Sequence, residues 1–243
     1  MSAPILITGV GKRIGYALAK HLLAQGETVI GTYRSHYPSI DELNALGAIL
    51  YQCDFYDKDE LKTLVSELQK LPTLRAIIHN ASDWLSDGKS TDGALDGMTQ
   101  VMERMMQVHV HVPYLLNLSL ESQLRAGAQG EIGAADIIHL TDYVAQKGSA
   151  KHIAYAASKA ALENLTLSFA AKFAPEVKVN SIAPAMILFN PSDDDAYRQK
   201  TLAKAMLPKE AGNQEIIALV DYLLGSRYVT GRSHAVDGGR QLK

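Results

Sequence analysis

No disulfide can form within this chain, because Cys53 is its one cysteine, and a lone thiol suits a reducing compartment. Neither sign of charge is in excess: 24 Lys and Arg stand against 26 Asp and Glu, so the balance gives no general pull toward nucleic acid or an anionic membrane. No run of about 18 apolar residues occurs, so no membrane span is expected. The opening MSAPILITGV has no basic region and too short an apolar core for a secretion signal, and a cytoplasmic protein is the expectation. Repeats, low-complexity blocks and linkers are also missing, which points to one domain over residues 1–243. Apolar residues are plentiful: 47% hydrophobic against 21% charged is enough for a large core and argues against disorder.

Short apolar runs alternate with longer helical patterns. Strands are predicted at 4–8, 28–34, 49–54, 75–81, 136–141, 177–184 and 233–239. Apolar positions recurring at three and four predict helices over 13–26, 58–71, 94–124, 152–174 and 213–226. Nearly all-apolar strands separated by helices imply a seven-stranded parallel sheet covered on both faces, an α/β doubly wound Rossmann-type domain. The stretch 185–212 carries no clear strand and follows a strand's carboxyl end, where open α/β sheets bind ligands, so it is a candidate substrate lid. Within it, the acidic run Asp193–Asp195 is expected to be solvated or to cap a helix starting near Ala196.

Several stretches carry chemistry. TGVGKRIG (8–15) joins the first strand to the first helix; Gly9, Gly11 and Gly15 permit a tight turn, and the helix offers free N–H groups to a pyrophosphate. Where a second strand ends in an acid, that acid grips the ribose 2′-hydroxyl of NAD. Here Arg34, Ser35 and His36 stand there, a set that would hold a 2′-phosphate, so NADPH is the expected cofactor. Asp54 ends the third strand and is placed to meet the adenine amino group; Asn80, in HNAS (79–82), is placed to organise the sheet edge and the cofactor ribose. Tyr155 and Lys159 are four apart on one helix face, and an ammonium beside the phenol would lower its pKa toward the working range.

Together with VNSIAP (179–184), VTG (229–231) and VDGG (236–239), these stretches resemble the short-chain dehydrogenase/reductase family over nearly the whole chain. The resemblance implies cofactor contacts from Gly9, Gly11, Arg13, Ile14, Arg34, Ser35, His36, Asp54, Asn80, Ala81, Tyr155, Lys159, Pro184 and Ile187. It also implies a homo-oligomer, most often a tetramer through the long helices. Four positions depart from the family pattern: Arg13 replaces a glycine, Asp142 a serine, His109 an asparagine, and Ala185 a glycine. Pro113 lacks an N–H, so the carbonyl of residue 109 is expected to be free of its helical partner and able to hold a relay water. His109 and His111 point to different helix faces, so no metal site is expected from them; Met98, Met102, Met105 and Met106 are expected in the core or at a subunit contact.

Asp142 with Tyr155 and Lys159, Arg13 in the loop, and Trp84 four residues after Asn80 are similar to the pteridine reductase branch, and most so to its bacterial dihydromonapterin-reducing members. That resemblance implies reduction of 7,8-dihydromonapterin to the tetrahydro form, with weaker dihydrofolate reduction. It implies Asp142, Tyr155 and Lys159 as the catalytic set and Arg13, Ser82, Trp84, Asp142 and Tyr155 around the substrate. The chemistry agrees, because reducing a ring C=N bond develops no alkoxide and a carboxylate meets no repulsion. A carboxylate also suits a ring that presents N–H donors. Two other readings stay open at this point: a ketone or alcohol dehydrogenase with an altered triad, and a non-catalytic NADPH-binding regulator.

Overall fold

The computed structural model describes residues 3–87, 95–130 and 133–243. Its seven strands are β1 (Ile5–Ile7), β2 (Val29–Tyr33), β3 (Ile49–Gln52), β4 (Ala76–His79), β5 (Ala135–Leu140), β6 (Val177–Pro184) and β7 (Ser233–Val236). They pair in the order β3-β2-β1-β4-β5-β6-β7, parallel throughout. β1, β4, β5 and β6 are buried along their whole length, and their apolar side chains feed two cores, one on each face of the sheet. Leu6, Ile77, Ile137 and Val179 point to one side; Ile5, Ile7, Ile78, Ile138 and Ile182 point to the other. The two edge strands differ: β3 leaves Ile49 and Gln52 open to solvent, and β7 leaves Ser233 and Ala235 so.

All seven expected strands are present. The helices α1 (Arg13–Ala24), α2 (Pro38–Ala45) and α3 (Lys58–Leu68) cross between the first four strands. Asp57 caps α3, its carboxylate accepting from the N–H groups of Asp59 and Glu60. The expected single helix over 94–124 is instead a broken rod: α4 (Leu95–Met106), a π-helical turn (Gln107–His111), α5 (Val112–Ser119) and α6 (Glu121–Gly127). Pro113 explains the π turn, since the missing N–H is met by widening the helix, and Val112 N–H donates to Gln107 O. In that i,i+5 register the proline falls opposite Val108, so a free carbonyl at residue 109 no longer follows from the helix pairing. The chain continues through α7 (Val144–Lys147), α8 (Ile153–Phe173), α9 (Asp195–Leu202) and α10 (Asn213–Gly225). Asp194 caps α9 by accepting from Tyr197 N–H, so one residue of the acidic run acts as expected.

At the amino ends of the central strands lies a buried ion cluster. Asp136 on β5 takes Lys178 Nζ of β6 on Oδ1 at 2.7 Å and the Arg75 guanidinium, just ahead of β4, on Oδ2. Arg75 and Lys178 also donate to the carbonyls of Leu224 and Leu223 at the end of α10. The opposite, carboxyl ends of the strands are left for the site.

Candidate active site

The turn after β1 is set by contacts that leave no spare volume. Gly9 takes φ +75, and a Cβ there would stand 2.9 Å from the Ala81 Cα. Gly15 opens α1 against the Gly9 carbonyl and the Asn80 amide, which a Cβ would strike. Asn80 Nδ2 donates to Thr8 O at 3.0 Å and Gly9 O at 2.9 Å, while Thr8 Oγ1 accepts from the N–H groups of Asn80 and Ala81. Asn80 thus ties the end of β4 to the loop. A cavity of about 290 Å³ opens over this turn. It brings together Gly9, Gly11, Arg13, Ile14, Arg34, Ser35, Asp54, Asn80, Ala81 and Ser82 from the expected set. The glycine turn, the helix amino end and Arg34 fit a dinucleotide with a 2′-phosphate.

Five expected cofactor residues lie elsewhere: Tyr155 and Lys159 on α8, and His36, Pro184 and Ile187. The His36 ring is held 3.0 Å from Asp41 Oδ1, on the outside of the turn into α2. Pro184 is buried and accepts from Tyr143 N–H, and Ile187 is buried in the core under the lid. None of the five lines the cavity.

Arg13 keeps the left-handed backbone, φ +55, that the glycine of the family pattern would hold without strain. Its guanidinium spans to the 185–212 segment, donating to Asn190 Oδ1 and Leu188 O, each at 2.8 Å. Phosphate loop and candidate lid are therefore joined by one side chain.

Tyr155 and Lys159 rise from α8 beneath β5. The Tyr155 hydroxyl donates to Asp142 Oδ2 at 2.9 Å, and Asp142 Oδ1 accepts from Val144 N–H. Burial raises the Asp142 carboxyl above the usual range. Burial, and then the Asp142 charge, push the Tyr155 phenol well above its ordinary value. This reverses the lowered phenol pKa expected from sequence. The group bonded to the phenol is a carboxylate, while the Lys159 ammonium donates to Leu140 O and stands 5.7 Å from the tyrosine ring centre. Burial lowers Lys159 to about 8.

Trp84 is not a core residue: it is 63% exposed and lies on the His152 ring, centroids 4.1 Å apart. His152 is in turn held by its Nδ1 against Leu85 O. Met105 is buried, whereas Met98 and Met102 are exposed. One group was missed from sequence. Asp83 accepts from Tyr56 OH at 3.1 Å and lies 3.4 Å from both Arg34 and Arg104, beside the cavity. Its place inside HNASDW was the available signal.

A family model described as enoyl-(acyl carrier protein) reductase, of the short-chain alcohol dehydrogenase type, matches residues 9–241. The chain belongs to the short-chain dehydrogenase/reductase family. It is 55% identical to a dihydromonapterin reductase of Klebsiella pneumoniae, over 99% of this chain and 97% of that one. It is 54% identical to a dihydromonapterin reductase of Citrobacter koseri, with the same coverage. Among solved structures it is similar to FolM alternative dihydrofolate reductase 1 from Brucella canis, complexed with NADP: TM-score 0.84, 26% identity, 99% of this chain and 94% of that chain.

Proposed function

We propose that this enzyme uses NADPH to reduce a dihydropterin, 7,8-dihydromonapterin first and dihydrofolate more weakly. The observation that carries the reading is the hydrogen bond from Tyr155 to Asp142, a carboxylate where a carbonyl reductase would want a hydroxyl. Its support is the full-length likeness to dihydromonapterin reductases.

Gly9, Gly11, Ile14 and the α1 amino end would hold the cofactor's phosphates, Arg34 and Ser35 its 2′-phosphate, Asp54 the adenine, and Asn80, Ala81 and Lys159 the ribose nearest the reacting ring. When bound, the cofactor supplies a hydride to the ring carbon of the substrate C=N bond. The chain's own residues handle the proton. At rest the Tyr155 hydroxyl donates to the Asp142 carboxylate; once Asp142 takes up a proton from solvent it donates to the Tyr155 oxygen instead, which frees the tyrosine hydrogen for the ring nitrogen. As the N–H bond forms, the Asp142 proton moves to Tyr155, and the carboxylate left behind is recharged from solvent. A carboxyl raised by burial suits that donor role. The exposed face of Trp84, braced by His152, is a platform for a flat heterocycle. Arg13 retains donors beyond the two spent on the lid, and these serve substrate polar atoms.

A tetramer fits the same reading. Met98 and Met102 on α4, Tyr114 and Leu115 on α5 and Leu167 on α8 are exposed apolar residues on the expected contact helices. Among the described residues no helix is long and apolar enough to cross a membrane, and a cytoplasmic enzyme with Cys53 as a buried thiol is consistent.

The deciding experiment follows NADPH oxidation with 7,8-dihydromonapterin, 7,8-dihydrobiopterin, dihydrofolate and simple ketones, in wild type and Tyr155→Phe. Dihydropterin turnover lost in the variant is expected. Turnover of ketones alone would replace this reading with that of an ordinary carbonyl reductase, and no turnover at all would favour a regulator.

A further inference from the structure

His109 replaces the family's asparagine, and its surroundings dictate the state of its ring. Ser158 Oγ donates its one hydrogen to Tyr155 O at 2.8 Å, so toward His109 Nδ1, also at 2.8 Å, it offers only a lone pair. Nδ1 must then carry the proton. The ring is 1% exposed, and burial with the neighbouring Lys159 charge disfavours the imidazolium. A neutral ring protonated at Nδ1 has a bare Nε2, an acceptor. Ser82 Oγ lies 2.8 Å from that Nε2, its shortest polar contact; the competing acceptors are Asp83 O at 3.4 Å and the nearby Tyr155 hydroxyl, which itself donates to Asp142. The Ser82 hydrogen is therefore committed to His109. The chain of bonds runs one way, from Ser82 through His109 and Ser158 to the backbone of the helical turn bearing Tyr155.

We propose that His109 is a positioning residue that fixes the polarity of Ser82, so that Ser82 meets the bound heterocycle as a hydrogen-bond acceptor and selects substrates presenting an N–H or amino group there. Ser82 lines the cavity and is exposed to it, so its remaining lone pairs face the ligand. An asparagine at position 109 would lack the reach of the two ring nitrogens and could present either amide end. The ligand half of this proposal rests on the dihydropterin reading; the polarity of Ser82 does not.

The first test needs no substrate. Nitrogen-15 NMR of histidine-labelled enzyme should show the His109 Nε2 as an unprotonated, pyridine-type nitrogen and Nδ1 as the protonated one. A proton on Nε2 overturns the proposal. The second test is kinetic. His109→Leu, which removes the acceptor, should raise KM for 7,8-dihydromonapterin roughly tenfold while the NADPH dissociation constant stays within about twofold. His109→Gln, which can accept and donate at the two ends of its amide, should restore most of the loss. Ser82→Ala combined with His109→Leu should be no worse than Ser82→Ala alone. An unchanged KM in His109→Leu, or additive losses in the pair, would sink the idea. If His109→Leu does not fold, Ser82→Ala and the NMR result decide the matter. Absence of any dihydropterin turnover in the wild type, with Nδ1 protonated as expected, would refute the dihydropterin reading and the ligand half of this proposal, and would leave the polarity of Ser82 standing.

Discussion

The Tyr155 hydroxyl and the Asp142 carboxylate form one hydrogen-bonded unit, 2.9 Å apart, and each disturbs the other's titration. Removing the carboxylate should move both chemistry and acidity. In Asp142→Asn the Tyr155 phenol is expected to titrate closer to its ordinary value of about 10, read by spectrophotometric tyrosine titration. In Asp142→Ala dihydropterin turnover should fall about a hundredfold, the lower end of what a general acid contributes. Asp142→Ser should lose dihydropterin turnover as well; a serine variant that keeps it and gains ketone reduction would mean that the carboxylate has no role in the proton path.

Arg13 holds a backbone conformation that costs a non-glycine residue about 1–2 kcal/mol. Arg13→Gly removes that strain together with two exposed hydrogen bonds to the candidate lid. The glycine variant should melt a few degrees higher than Arg13→Ala, which keeps the strained φ with no guanidinium. Both should show a raised KM for the dihydropterin. Equal melting temperatures would show that the loop relaxes freely.

Burial lowers the Lys159 amine to about 8 in the folded chain, against its ordinary value of about 10.5. The unfolded chain therefore binds more protons between those values, and stability rises with pH across that window. The penalty is fully present below about pH 8 and gone above about 10.5, and it amounts to about 3 kcal/mol. Lys159→Met should be inactive, and its stability relative to wild type should be greatest at pH 7 and decline toward pH 10.5. Urea unfolding at the two pH values checks the sign; a constant difference would mean that the amine is not desolvated.

Arg34 lines the cavity and is lightly held, 3.4 Å from Asp83. Hydrogen bonds to a charged group are worth about 1.5–3 kcal/mol. Arg34→Ala should cut the ratio of kcat/KM for NADPH over NADH by about ten- to a hundredfold, with NADH itself little affected. His36→Ala should leave that ratio nearly unchanged, because His36 faces Asp41. A large effect from His36 would reverse that assignment.

The strands were legible because a doubly covered parallel strand must be apolar along its length, and the seven runs had no other use. The phosphate loop, Asn80 and the Tyr155–Lys159 pair were legible because their spacing is set by local geometry: a turn, a strand end and one helix face. The rod from Leu95 to Gly127 was not, since its breaks depend on where Pro113 falls against the hydrogen-bond register. The phenol's acidity was misjudged from Tyr155 and Lys159 alone; desolvation outweighs the lysine, and the Asp142 carboxylate adds to it. Ile187 faces the core because the start of the 185–212 segment packs with Ile216, Ile217 and Val220 of α10, a partner some thirty residues further on.

The ion cluster on Asp136 bears on the lid at the far end of the sheet. Lys178 starts β6 and reaches the last carbonyls of α10, so the span of chain made of β6, the 185–212 segment and α10 returns to its own beginning. In mechanical terms the lid is an arch whose two footings are bolted together by a buried crosspiece. Such an arch can flex at its crown, where Arg13 holds Leu188 and Asn190, but it cannot slide along the sheet.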